Sequence, residues 1–228
     1  LNRGASGNVS VRDGADMLIS PSGVPPRELT PDMVARMPLA GDGEYVGDWK
    51  PSVEWRFHRD ILRARPEMNA VVHTHAQWST VLACARRTIP AVHYMIAAFG
   101  GPEIPLADYA TYGSPELSEN VLKAMAGHSG CLMANHGMVV AGDNLGRAMW
   151  LANELEALAH QHYHTLLLGG DRMMRVFGRV GEASRSPGWL DAHWPTAGWT
   201  NRRRSPNGAV RPSIDTSYQR QMGVSYRG

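Results

Sequence analysis

The sequence predicts one α/β domain over residues 1–170, followed by a stretch of different character from 171 to 228. Strand-type and helix-type apolar patterns alternate along the first part. No repeat or long linker interrupts them before Gly170, and 228 residues are enough to bury one large core.

Each element has a local reason. GNVSVRDGADMLISPSG sets Val9 and Val11, then Leu18 and Ile19, in a strand pattern around Asp13-Gly14, which predicts a β-hairpin. In PSVEWRFHRDILRA, Ser52 is expected to cap a helix whose apolar stripe is Trp55, Phe57, His58, Ile61 and Leu62. NAVVHTHA follows Pro66 and reads as a strand, QWSTVLACAR as the next helix, and TIPAVHYMI as a return to β structure. SPELSENVLKAMAG opens on a serine cap and closes on glycine. GCLMANHGMVVAG reads as two short strands around a histidine-glycine turn. A long helix then runs from a predicted Asp143 cap through Leu151, Leu155 and Leu158.

Composition excludes several classes. No segment approaches the ~20 apolar residues of a membrane span, so no membrane partner is expected. The chain opens on Leu1 with no charged-then-apolar leader, and its natural start is expected upstream. Two distant cysteines, Cys84 and Cys131, point to a reducing cytoplasm rather than a disulfide scaffold. The net charge is +2, but residues 171–228 hold ten arginines against four acids, +6, which leaves −4 for residues 1–170. That basic tail mixes Arg, Pro, Gly, Ser and Trp without periodicity, as poorly packed or divergent chain does. Its Arg202–Arg204 triplet has no recognisable fold to present it, so no nucleic-acid partner is expected.

The chemistry begins at VVHTHA. In an extended strand His73 and His75 project to one side, close enough to share a metal ion. An H-x-H pair alone is common and needs further ligands. Glu54 lies 19 positions before His73, near the start of the preceding helix where the dipole favours a carboxylate. His136 lies 61 positions after His75 in a glycine-terminated turn. Three imidazoles and a displaceable carboxylate suit Zn2+ and leave room for substrate.

Taken in order, GNVSVR, SPSG, KPSVEWRFH, NAVVHTHA, IPAVHYMIAAFGG, YATYGSPELSENV, ANHGM and NLGRAMWLANELEALA resemble the class II aldolase/adducin family over nearly all of residues 1–170. The resemblance implies a three-layer α/β/α fold with a central, mainly antiparallel sheet. It implies that His73, His75 and His136 are zinc ligands, with Mn2+ or Co2+ as possible substitutes, and that Glu54 is both fourth ligand and acid/base. It assigns Gly7, Asn8, Ser22, Gly23 and Ser52 to a substrate-phosphate cradle, Tyr94 to catalysis from a neighbouring subunit, and Tyr112 to the aldehyde pocket. A homotetramer with interface active sites is expected. The family also closes its site with a C-terminal tyrosine, which no motif matches to Tyr218 or Tyr226.

The implied reaction cleaves a ketose 1-phosphate such as L-fuculose 1-phosphate to dihydroxyacetone phosphate and L-lactaldehyde. Carbon–carbon cleavage leaves an enediolate whose charge a dication stabilises. Glu54 would move the proton on the enediolate carbon and Tyr94 the one on the departing hydroxyl. Glycine amides and serine hydroxyls would hold phosphate without lysine. Two positions depart from the aldolase pattern: Val53 replaces a second serine and Ala5 a threonine, with Ser6 beside it as a substitute donor. Each lost hydrogen bond to a charged group costs roughly 1.5–3 kcal/mol. The related epimerase carries aspartate in place of Glu54, a related decarboxylase keeps the metal site, and adducin-like binding domains lack the ligands. A cupin would place its glutamate after the histidine pair. His160, His162 and His164 read as a solvated or packed helix face, and His58 and His93 as supporting or packing residues.

Overall fold

The computed structural model describes Leu1, Asn2 and residues 4–169. The expectations for the arginine-rich tail, Tyr218 and Tyr226 lie outside those residues. The described chain runs β1 (Asn8–Asp13), β2 (Asp16–Ile19), β3 (Ala35–Pro38), α1 (Trp55–Ala64), β4 (Ala70–Thr74), α2 (Gln77–Cys84), β5 (Ile89–Pro90), β6 (Glu103–Ile104), β7 (Leu106–Ala107), α3 (Pro115–Ala124), β8 (Gly130–Met133), β9 (Gly137–Gly142) and α4 (Leu145–Leu167). Short 3-10 turns occupy Pro31–Met33 and Tyr94–Phe99.

Seven strands form one sheet in the order β3-β2-β1-β4-β9-β8-β7, antiparallel except for the β7/β8 pair, while β5 and β6 make a separate ribbon. Strand alternation divides the core between the two faces. Val71, Val139 and Cys131 pack with Phe57 and Ile61 of α1 and Leu117 of α3. Val72, Val140 and Leu132 pack with Leu82 of α2 and Leu151 and Leu155 of α4. The result is the expected three-layer α/β/α arrangement with a mainly antiparallel sheet. No helix among the described residues is long and apolar enough to cross a membrane.

The hairpin, the helices and the β8/β9 turn form where the patterns place them, and several boundaries move for identifiable reasons. The hairpin loop is Gly14-Ala15, because Asp13 pairs with Asp16 and Gly14 takes the positive φ (+64°) of the first loop position. Asn144 caps α4 instead of Asp143: its Oδ1 accepts from Arg147 N–H at 2.8 Å, while the Asp143 carboxylate accepts from the Asn144 amide. Ser52 is not the N-cap of α1. Glu54 holds that position, and Ser52 Oγ accepts from Glu54 N–H at 3.2 Å. In TIPAVHYMI only Ile89–Pro90 is strand; His93 Nδ1 accepts from Met95 N–H, and a 3-10 turn buries Ile96 to Phe99 in succession before Gly100 ends it at φ +88°.

Two long-range ties fix helices that lack strong caps of their own. The Glu156 carboxylate on α4 accepts from Trp78 N–H (2.8 Å), Ser79 N–H (2.9 Å) and Ser79 O–H (2.8 Å), and so caps α2, whose N-cap residue is Ala76. At the far end of α1, the Arg12 guanidinium donates to the Leu62 carbonyl and to the Met68 carbonyl (3.2 Å), joining the helix C-terminus to the turn before β4.

Candidate active site

β4 is buried along its whole length at the sheet centre, between β1 and β9. His73 lies on its α1 face, where its ring meets Phe57 edge-on. His75 lies just beyond the strand end, and His136 stands in the β8/β9 turn, which Asn135 allows by adopting φ +56°. The N-terminal end of α1 brings Glu54 to the same point. Segments remote in sequence therefore meet at one end of the sheet.

The three imidazoles converge. Their centroids are 4.8–4.9 Å apart with interplanar angles of 72–75°, and their ligand nitrogens lie within 4.8 Å of one another. Nε2 of His73 and His75 are 3.1 Å apart. Glu54 Oε2 is 3.3 Å from His73 Nε2, and Oε1 is 3.0 Å from His136 Nε2. His73 Nδ1–H donates to the Met138 carbonyl at 2.8 Å, which fixes the tautomer and leaves the Nε2 lone pair facing the cluster.

The electrostatics match a cation site. Burial pushes His73 down to about 4, outweighing the attraction of Glu54, and also lowers His75, so both are free bases at neutral pH. Burial alone would raise the Glu54 carboxyl. The closeness of His136 and the potential of His73 instead hold it down at about 2, and it is ionised. Glu54 Oε1 is buried, with His136 Nε2 3.0 Å away and no other hydrogen-bonding partner among the described residues. A buried, ionised carboxylate among three converging imidazoles fits a divalent cation held by Glu54, His73, His75 and His136.

The expected cradle residues are only partly gathered. Asn8 and Ser52 are buried beside Glu54: Asn8 Nδ2 donates to Ser52 Oγ at 2.8 Å and to Glu54 Oε2 at 2.9 Å. Gly7, at φ +85°, lies against the strand, where a Cβ would stand 2.6 Å from the His73 carbonyl. Ser22 is exposed and its Oγ accepts from Val53 N–H at 2.9 Å; Gly23, at φ +72°, has open space around its Cα. A cleft of about 810 Å³ runs past Ser6, Gly7, Asn8, Ser20, Arg27 and His73. A neighbouring one of about 980 Å³ is lined by His75, Trp78, Asn153, Glu156 and His160.

The structure does not bring the tyrosines into the cluster. Tyr94 is 55% exposed with its ring against His93, and Tyr112 is 67% exposed. His58, by contrast, is fully buried and bonded to Asn8 and Ser10. His162 is buried, whereas His160 and His164 are exposed and stand 3.0 Å apart beside Trp78. Glu156, one turn earlier, commits both oxygens to α2 and offers that pair no third ligand. Sequence reasoning passed over Asn2, whose Oδ1 accepts from His75 N–H at 2.8 Å, and Ser10, which supports His58. Ser10 faces the same side as Asn8 by strand alternation, a usable signal; Asn2 carries none.

Comparison with known proteins agrees with this architecture. The family described as Class II Aldolase and Adducin N-terminal domain matches residues 1–163. A 5-methylthioribulose-1-phosphate/5-deoxyribulose-1-phosphate aldolase of Rhodospirillum rubrum is 47% identical over 82% of this chain and 88% of its own. An L-fuculose phosphate aldolase of Escherichia coli K12 is 45% identical over 74% and 77%. Among solved structures, an L-fuculose 1-phosphate aldolase superposes with a TM-score of 0.74 at 35% identity, covering 81% of this chain and 86% of that one. YgbL of Escherichia coli, described as a putative aldolase/epimerase/decarboxylase, superposes at 0.69 with 28% identity, covering 81% and 89%. From its sheet, its histidine cluster and these matches, the chain belongs to the class II aldolase/adducin family.

Proposed function

We propose that this protein is a zinc-dependent class II aldolase that cleaves a ketose 1-phosphate, such as L-fuculose 1-phosphate, to dihydroxyacetone phosphate and an aldehyde, here L-lactaldehyde. The observation that carries the reading is the convergence of three imidazoles on a buried, ionised glutamate. The aldolase names of both relatives support the reaction class, and they differ in the sugar. A divalent cation at Glu54, His73, His75 and His136 supplies Lewis-acid stabilisation for the enediolate charge left by cleavage.

The chain's own residues do the rest. Glu54, ionised beside His73 and His136, would take the proton of the reacting carbon in the condensation direction and return it in cleavage. Gly7, Asn8, Ser22, Gly23 and Ser52 are the proposed phosphate contacts, of which Gly7 and Asn8 line the cleft together with Ser6, a substitute donor beside Ala5. Tyr94, exposed at the start of its 3-10 turn, would serve a neighbouring subunit of a homotetramer and exchange the proton of the departing hydroxyl. Two free cysteines suit a cytoplasmic setting.

The test is a metal-dependent assay across L-fuculose 1-phosphate, 5-deoxyribulose 1-phosphate and an oxo-tetronate phosphate, following aldehyde and carbon dioxide separately. Aldehyde release supports the aldolase, and carbon dioxide alone overturns it. His75→Ala is expected to abolish bound zinc and turnover together; undiminished activity in a metal-free variant defeats the mechanism.

A further inference from the structure

We propose that His58 is a positioning residue which, acting through Asn8, sets the proton order of the buried polar chain that aims Glu54 and the Ser52 hydroxyl. The inference rests on the aldolase reading only for what the Ser52 proton meets.

The order follows from donor and acceptor counting, starting at the carboxylate. Glu54 accepts only, so the Asn8 group 2.9 Å from Oε2 must be its NH2, which also donates to Ser52 Oγ at 2.8 Å. The Asn8 Oδ1 then points away and takes the proton of His58 Nε2 at 2.5 Å. An imidazole protonated on Nε2 leaves Nδ1 as an acceptor, and Ser10 O–H donates to it at 2.8 Å. Turning Asn8 over would set Oδ1 against Glu54 Oε2, two acceptors face to face.

The geometry leaves little freedom. Ser10, Ser52 and His58 are at most 1% exposed, and the His58 ring stacks on Phe57 with centroids 4.7 Å apart at 24°. Asn8 and Ser10 are held in register opposite His73 and Val71. At the other end of the chain, Ser52 Oγ accepts from both Asn8 Nδ2 and Glu54 N–H, which fills its two lone pairs. Its own O–H is therefore left to donate, as a phosphate contact requires. One buried imidazole thus orients a metal-side carboxylate and a hydroxyl without touching ion or substrate.

The test compares His58→Leu, which removes the N–H, with His58→Gln, whose amide N–H can stand near the Nε2 position. In the zinc-loaded enzyme His58→Leu is expected to lower kcat/KM for L-fuculose 1-phosphate and zinc affinity by about 10–100-fold, and His58→Gln to restore most of both. Nitrogen-15 NMR of the wild-type protein should show His58 with its proton on Nε2. A proton on Nδ1, or equal losses in the two variants, overturns the proposal. If His58→Leu fails to fold, the tautomer of the wild type still decides. If the wild type cleaves no ketose phosphate, the aldolase reading falls, while the tautomer and the zinc-affinity pair still judge His58.

Discussion

Gly137 opens β9 directly after His136, and no strained φ requires a glycine there. The requirement is contact: a Cβ would stand 2.5 Å from the Thr74 carbonyl oxygen and 3.0 Å from the His75 ring carbon Cδ2. Carbon–oxygen contacts settle near 3.3 Å, so Gly137→Ala must part the ends of β4 and β9 by about 0.8 Å. Those ends carry His73, His75 and His136, and a metal constellation tolerates only about 0.5 Å of displacement. Overpacking of this kind costs about 1–3 kcal/mol of stability, and a misplacement near 1 Å costs about a hundredfold in turnover. The variant is therefore expected to remain folded, with a lower thermal midpoint, and to lose zinc affinity far out of proportion to that change. Denaturation followed by circular dichroism, with zinc titration of the same sample, separates the two effects. A Gly137→Ala protein that binds zinc and cleaves substrate like the wild type would refute the claim that this backbone contact holds the centre together.

Two more outcomes follow from features already described. His73 and His58 have folded pKa values of about 4 and about 3, both lowered chiefly by burial, so the unfolded chain binds more protons than the native one below about pH 6.5. Metal-free protein should lose about 1.4 kcal/mol per pH unit for each histidine as pH falls from 6.5 towards those values, with Glu54 adding a loss from about pH 4.5 down to about 2; urea titrations at pH 7 and pH 5 measure the histidine part, and equal midpoints would count against buried neutral rings. Glu156→Ala strips three acceptor contacts from the start of α2 and should lower stability by about 1–3 kcal/mol with zinc binding retained, whereas an unchanged urea midpoint would show that water replaces the cap.

Much of this was legible because it is periodic or punctuated. Val9, Val11, Leu18 and Ile19 mark the hairpin, and Ser114, which accepts from Leu117 N–H at 3.1 Å, starts α3 where the serine signal stood. The histidine pair was legible because two residues per period brings alternate side chains to one face. Other features depend on partners that no local window contains. Asp143 and Asn144 are both good caps, and the choice turned on which oxygen reached Arg147. The segment after Pro90 has β-like composition, but the His93 side chain accepts from Met95 N–H and turns the chain into a 3-10 helix that Gly100 ends. Asn8 could be placed near a phosphate by its loop, yet its commitments to Glu54, Ser52 and His58 depend on elements more than forty residues away.

The Arg12 clasp on the far end of α1 reaches further than its own surroundings. A ten-residue helix is ~15 Å long, so a ~5° tilt pivoting at its C-terminal end would carry the opposite tip through ~1.3 Å. Glu54 rides on that tip. The guanidinium on the Leu62 and Met68 carbonyls works as the anchored end of a lever, and the aim of a carboxylate is governed in part by a cation a helix length away from it.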